Sequence, residues 1–375
     1  MVTTMEPETS SDQRPVIQAS EILAKIARGE PVEYDGVIIE GDLEYPNDEK
    51  HIKLSTGLEK IHSAITITDS EIRGRVNFGY ARFVERISFK EVNFNGYADF
   101  RYARFGDGSD FTEAEFYVDS SFREAEFGRY TNFREAKFGG KLGFGGDTDF
   151  NGAEFMDADF EGAKFNGRDN QFIGTKFNGE ANFCRTEFAK FGRWDTRHSF
   201  IDAKFCGDAD FSEAKFEAYA FFTGAEFIKN ISFKRAEFDH ANFSLAKFEG
   251  IAHFDGAEFG EDVDFKGAEF GGITHFDRAK FDGYLEIYRA QFKREIYLKD
   301  TKFSQHANQE MVCRIAKRTN EVQGNNLTAD DNFYMEMEAI RLGNGIKGTE
   351  KLVWPWEMKV SEWFKLVGSK VTSAL

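Results

Sequence analysis

Between Ile61 and Phe303 the apolar positions return in alternating steps of five and six residues: Phe78, Phe83, Phe89, Phe94, Phe100, Phe105, Phe111, Phe116, Phe122, Phe127, Phe133 and Phe138. The resulting period is eleven residues, and a small residue stands two before many of these Phe, as at Ala81, Ala103, Ala114, Ala125 and Ala136. A helix does not fit. At roughly 100° per residue a five-residue step turns the side chain by about 140°, so the Phe cannot form one stripe. Most of the 35 Gly also fall here, each costing about 1 kcal/mol inside a helix. One long flat strand fails because a five-residue step flips the side chain to the other face. Short straight sides with a turn after each do fit, with Ala and Phe pointing inward and the residue between them facing water.

Ala98-Asp99-Phe100, Ala181-Asn182-Phe183 and Ala209-Asp210-Phe211 resemble the motif of the pentapeptide-repeat family, in which Ala is followed by Asp or Asn and then by Leu or Phe. The resemblance covers about two-thirds of the chain. It implies an all-β solenoid, a right-handed, quadrilateral parallel β-helix. This chain departs from the motif by a sixth residue on alternate sides, which lengthens alternate corners and gives coils of about 22 residues. Some 45 sides then give about eleven coils and a rod of roughly 50 Å. Phe100, Phe111, Phe122, Phe133, Phe211 and Phe265 are expected in its core. The rhythm is disturbed around Phe155–Phe172, where Trp194 stands between Phe188 and Phe200, and around Phe233–Phe248. Aliphatic residues replace Phe at both ends (Ile61, Ile67, Ile72; Ile287, Leu298), as in the atypical terminal repeats of such arrays.

Four segments are expected. Residues 1–15 read as a disordered tail and 16–30 as a short N-terminal capping helix, with Ser20 near its N-cap, Gly29 at its end and Ile22, Leu23 and Ile26 as an apolar edge. Residues 31–303 read as the β-helix. Residues 304–375 read as a C-terminal α-helical extension: a lid helix over Met311–Arg318, a second helix after Thr328 with Phe333, Met337 and Ile340 on one face, and a Trp-rich tail. In a helical tail Trp356, Val360, Trp363 and Val367 share one face, with Trp354 just upstream. The Ala329, Phe333, Tyr334, Glu336 and Met337 pattern is similar to a branch of the family whose helices lead into a membrane portion; a channel activity is not inherited here.

The net charge of −17 argues against direct binding of nucleic acid by the rod. Residues 304–375 hold nine Lys/Arg and nine Asp/Glu, so the excess acid lies upstream. No apolar run of 18 residues or secretory leader is evident, and three irregularly spaced Cys suit a reducing cytoplasm.

Candidate chemistry is sparse. Gly343-Asn-Gly345-Ile-Lys-Gly348 has glycine-loop spacing but follows a helix outside any βαβ unit, so it reads as a linker. His253 and His275 are 22 apart and stack on adjacent rungs, with no third metal ligand evident; they read as surface residues. Cys184 and Cys206 are also 22 apart and read as free thiols on adjacent rungs. Outward charges read as ladders: Arg104 below Glu126, Lys215 below Glu237 and Glu258 below Lys280 on one face, Lys204 below Glu226 and Lys247 below Glu269 on the opposite face.

No catalytic residue, cofactor or metal is expected. The first reading is a non-catalytic rigid scaffold for an unidentified protein partner, its C-terminal helices mediating attachment or a homodimer. Two alternatives stand beside it. One is an acidic DNA mimic that binds a type II topoisomerase, as the resemblance implies for some members. The other is a peripheral membrane protein held at the membrane surface through Trp354, Trp356, Val360, Trp363 and Val367.

Overall fold

The computed structural model describes residues 14–45, 59–140, 146–191 and 196–343. Strands mostly two residues long alternate with corners, and each pairs in parallel with its counterpart one coil on, as in Phe94↔Phe116, Phe116↔Phe138 and Phe105↔Phe127. In chain order each coil supplies four faces. The first runs through Ile61, Phe83 and Phe105, the second through Ile65 and Ile87, the third through Ile72, Phe94 and Phe116, and the fourth through Val76, Ala98 and Ser120. Asp110 carries the second face across a gap by single bridges to Ser88 and Asn132. The solenoid has about 12 turns, one more than the Phe period predicts. Upstream of Ile61, Val16–Gln18 pairs with Ile38–Glu40 and Ile38–Ile39 with Glu71–Ile72, ahead of the regular coils.

The corners explain the motif. In the turn Phe111-Thr-Glu-Ala114 the Ala114 N–H returns to the Phe111 carbonyl at 3.1 Å, and Glu113 has φ 57°. A positive φ at the third position is what a type II turn demands. Gly152 and Gly162 meet the demand without a Cβ, whereas Tyr80, Glu113 and Arg185 adopt it with one. The Asp or Asn between Ala and Phe clamps the same corner from outside. Asp99 Oδ1 accepts the Arg101 N–H at 3.0 Å, Asn182 Oδ1 that of Cys184 at 3.0 Å and Asp210 Oδ1 that of Ser212 at 2.8 Å.

Inside, the Phe form stacked columns. Phe100 lies 5.1 Å from Phe122, Phe111 4.8 Å from Phe133, Phe211 5.2 Å from Phe233 and Phe243 5.0 Å from Phe265, all near parallel. Neighbouring columns meet edge to face, as in Phe111–Phe122 at 5.8 Å and 87°. Both arrangements keep ring quadrupoles complementary. Phe100, Phe111, Phe122, Phe133, Phe211 and Phe265 are all buried.

Both ends are closed. Helix α1 (Ala19–Ala27) buries Ile22 and Ile26 on the first coil, with Leu23 partly buried. It starts after Gln18 rather than at Ser20, and Val16–Gln18 is strand, so the helix expected over 16–30 is shorter. It ends in a Schellman turn, Gly29 N–H to Ile26 and Glu30 N–H to Lys25, each at 3.0 Å, with Gly29 at φ 70°. The expected tail 1–15 also yields its last two residues to the fold: Arg14 pairs with Glu71 at 3.0 Å and the Pro15 carbonyl accepts from Ile38 N–H at 2.8 Å. The rest of that tail lies outside the described residues.

At the other end helix α2 (His306–Val322) covers the last coil with Val312, Cys313 and Ala316 buried. Its buried Asn320 imitates a further strand: Nδ2 donates to the Ile296 carbonyl at 2.8 Å and Oδ1 accepts the Ile296 N–H at 2.9 Å. An open strand edge is thereby satisfied by one side chain. Helix α3 (Asn326–Gly343) returns antiparallel on α2, tied by Arg314–Glu336 at 2.9 Å and by Lys317 over the Phe333 ring at 4.0 Å. Its buried line is Ala329, Asn332, Glu336 and Ala339. The expected apolar face of Phe333, Met337 and Ile340 is only half-buried: the partner helix presents polar anchors, so the small and hydrogen-bonding side of α3 turns inward.

Candidate functional site

The lateral surface of the rod is the candidate functional site. On the first face the outward residues between Ala and Phe carry both signs, with like charges adjacent at Arg82–Arg104, Glu126–Glu154 and Lys176–Lys204 and opposite charges paired between them. Arg104 pairs with Glu126 at 2.9 Å, Lys176 with Glu154 at 2.6 Å, and Glu226 is clasped by Lys204 at 3.2 Å and Lys247 at 2.8 Å. The Lys247 and Lys204 hydrogen bonds hold the Glu226 carboxyl below its ordinary pKa. The third face behaves alike, with Lys137–Glu115 at 2.5 Å, Lys164–Glu187 at 2.9 Å and Lys215–Glu237 at 3.5 Å. The second face is different in kind: its outward column is Asn132, Asp159, Asn182, Asp210 and Ser232, ending in His253, His275 and Tyr297.

Two ladder expectations need correction. Lys280 faces Glu258 in register but pairs with Asp282 at 2.5 Å, and Glu269 takes Lys293 at 3.2 Å while Lys247 turns down to Glu226. Arg104–Glu126 also shares its face with Lys204–Glu226, not with Lys215–Glu237. The physical reason is a pair of long rungs. Phe127 meets Phe155 and Phe177 meets Phe205, so each of these coils runs six residues beyond 22. Together they amount to about half a coil, which exchanges opposite faces. Phe188 and Phe200 accordingly sit on successive faces; Trp194, read from the sequence as replacing a Phe between them, lies outside the described residues.

The same shift separates the cysteines. Phe183 stacks on Phe211 and Phe205 on Phe177, so Cys184 and Cys206 are not rung neighbours. Both are free thiols, and burial raises the Cys184 pKa. Cys313, buried under the C-terminal lid, is pushed up to about 12 by burial.

Along the first face Arg82, Arg104, Glu126 and Glu154 border a shallow groove of about 430 Å³ whose apolar floor includes the half-exposed Val84 and Met156. Cations line one end and carboxylates the other. Nothing in the Phe period distinguishes these positions, because Val84 and Met156 fall in corner residues outside the repeated cell.

His253 and His275 do stand one above the other, ring centroids 4.8 Å apart and 14° from parallel, and Tyr297 stacks on His275 at 4.9 Å. The sequence reading lacked a third ligand. The structure supplies Asp255, whose Oδ2 lies 2.9 Å from His253 Nδ1. Asp255 enters from the corner two residues on, a relation visible only once the corner geometry is known. Trp354, Trp356, Val360, Trp363 and Val367 lie outside the described residues, as does the Gly-x-Gly stretch beyond Gly343. No helix among the described residues is long and apolar enough to cross a membrane.

Stacked two-residue strands, four per coil, around continuous Phe columns define a parallel β-solenoid repeat protein. A family model described as pentapeptide repeats (9 copies) matches residues 243–291. The same Phe columns and strand registers run through the described coils on either side of that segment, so the repeat throughout is similar to that of pentapeptide-repeat proteins. No curated protein and no solved structure matches it significantly.

Proposed function

We propose that the chain is a non-catalytic docking rod for a protein partner, with its C-terminal segment mediating attachment or self-association. The observation that carries this reading is the first face: a stiff backbone ladder presents a groove with an apolar floor, cationic at the Arg82 and Arg104 end and anionic at the Glu154 end. Backbone ladders and stacked rings hold that surface in place before binding, which lowers the ordering cost of association. Mixed signs along the first and third faces favour a partner of mixed charge over the unbroken negative stripe that mimicry of DNA requires. The alternative of a membrane anchor rests on the tail alone.

The test is light scattering and liposome flotation on the full chain beside a truncation ending at Gly343. The expected result is twice the monomer mass for the full chain, monomer mass for the truncation, and flotation of neither. Flotation of the full chain that disappears on truncation would replace this reading with membrane attachment. Inhibition of a type II topoisomerase by the truncation would replace it with mimicry.

A further inference from the structure

The second face ends in a cluster that ladder stability does not explain. Its outward column is made of short hydrogen-bonding residues up to Ser232 and then changes to His253, His275 and Tyr297. The backbones under the two imidazoles are locked: Phe233 N–H donates to the His253 carbonyl and Phe254 N–H to the His275 carbonyl, each at 2.7 Å. Their Cα positions are therefore set by the ladder and only the side chains can turn. Asp255 leans back from the corner onto His253 Nδ1 at 2.9 Å. One donor atom from each of His253, Asp255 and His275 lies within 4.8 Å of the other two, and among the described residues this is the one such trio.

Two imidazoles and a carboxylate form a donor set suited to borderline divalent ions such as Zn²⁺, Ni²⁺ and Cu²⁺. Metal–ligand bonds of about 2.0–2.2 Å place tetrahedral donors about 3.4 Å apart. The gap from the present separation is closed by rotating partly exposed side chains, without moving the ladder. Asp277, one rung above Asp255, adds negative charge, opposed by Lys234. We propose that His253, Asp255 and His275 bind one divalent transition-metal ion of the zinc type, leaving a further coordination position open to solvent. Bound there, the ion clamps two successive rungs from outside.

The test uses the full chain, freed of any affinity tag, with Zn²⁺ titrated in competition with a chromophoric chelator and Cu²⁺ followed by electron paramagnetic resonance. Variants are His275→Gln, Asp255→Asn and, as control, His240→Gln, which lies outside the trio. The expected result is one Zn²⁺ per chain, with affinity falling about tenfold or more in H275Q and D255N and unchanged in H240Q. The Cu²⁺ signal should show two coupled nitrogens in the parent and one in H275Q. Equal Zn²⁺ affinity in all four proteins, or no binding by the parent, overturns the proposal. Should H275Q fail to fold, as judged by its circular dichroism, D255N carries the same comparison.

Discussion

Two inward columns, on adjacent faces of every coil, share the interior and hold together in different ways. On the third face Phe116, Phe138, Phe165, Phe188 and Phe216 stack at 4.6–5.0 Å, each ring meeting its own kind above and below. On the fourth face the inward column runs Ala98, Ser120, Thr148, Asn170, His198 and Ala220. The four polar members are as buried as the Phe. A repeated apolar ring needs nothing but its copy in the next coil. A buried polar group needs a named partner each time: Asn170 Nδ2 donates to the Gly167 carbonyl at 3.0 Å and meets His198 Nδ1 at 3.1 Å, whereas Thr148 Oγ1 has no partner among the described residues. Identity is self-satisfying, and polarity is not.

The contrast can be broken at three places. Phe211→Ala removes a fully buried ring from the middle of a column and is expected to cost about 3–5 kcal/mol, read as a lowered denaturant midpoint. The half-buried Phe303, on the last rung, should cost less than half as much. Equal losses would mean that stacking within a column contributes little.

The polar column predicts a pH effect. Burial pushes the His198 pKa from 6.5 down to about 3, opposed by the Ala189 backbone. Asn170 already uses an N–H toward His198 Nδ1, so a second proton there would set donor against donor. Between those two pKa values the unfolded chain holds more protons than the folded one. Stability is therefore complete above about pH 6.5 and falls on acidification, by up to about 1.4 kcal/mol per pH unit. Thermal melts at pH 7 and pH 5 should differ by more in the parent than in His198→Ala, and parallel shifts in the two proteins would sink the idea. The smallest effect belongs to Thr148→Val, which keeps the shape and removes the orphaned hydroxyl. A gain of about 1 kcal/mol is expected, and a loss in the same denaturation assay would show that the hydroxyl is satisfied.

The Phe period and the Ala-Asp/Asn-Phe motif made the solenoid, its four faces and its lidded ends readable before any coordinates, because each coil repeats the same local problem. What escaped notice arose where the repeat is interrupted. The coils that follow Phe127 and Phe177 exceed the 22-residue count, and so a strict 22-residue register puts Arg104–Glu126 on the wrong face and Cys184 beside the wrong neighbour. Asp255 was missed because its partnership with His253 depends on a corner folding back. The groove was missed because Val84 and Met156 obey no period. Asn320, capping Ile296 from a helix, could not be told from an ordinary polar helix residue.

The long corners have a consequence for how such a chain can change. Phe138 pairs with Phe165 and Phe188 with Phe216 although these rungs are 27 and 28 residues apart, so the stack stays in phase across added length. The chain thus follows a grammar with two permitted edits. Residues may be added at a corner as ornament, or a whole coil may be added or lost, lengthening or shortening the rod by about 4.8 Å while leaving both lids their original seats. An edit of half a coil satisfies neither rule, since it turns every later side chain to the opposite wall and carries the groove and the histidine pair around with it.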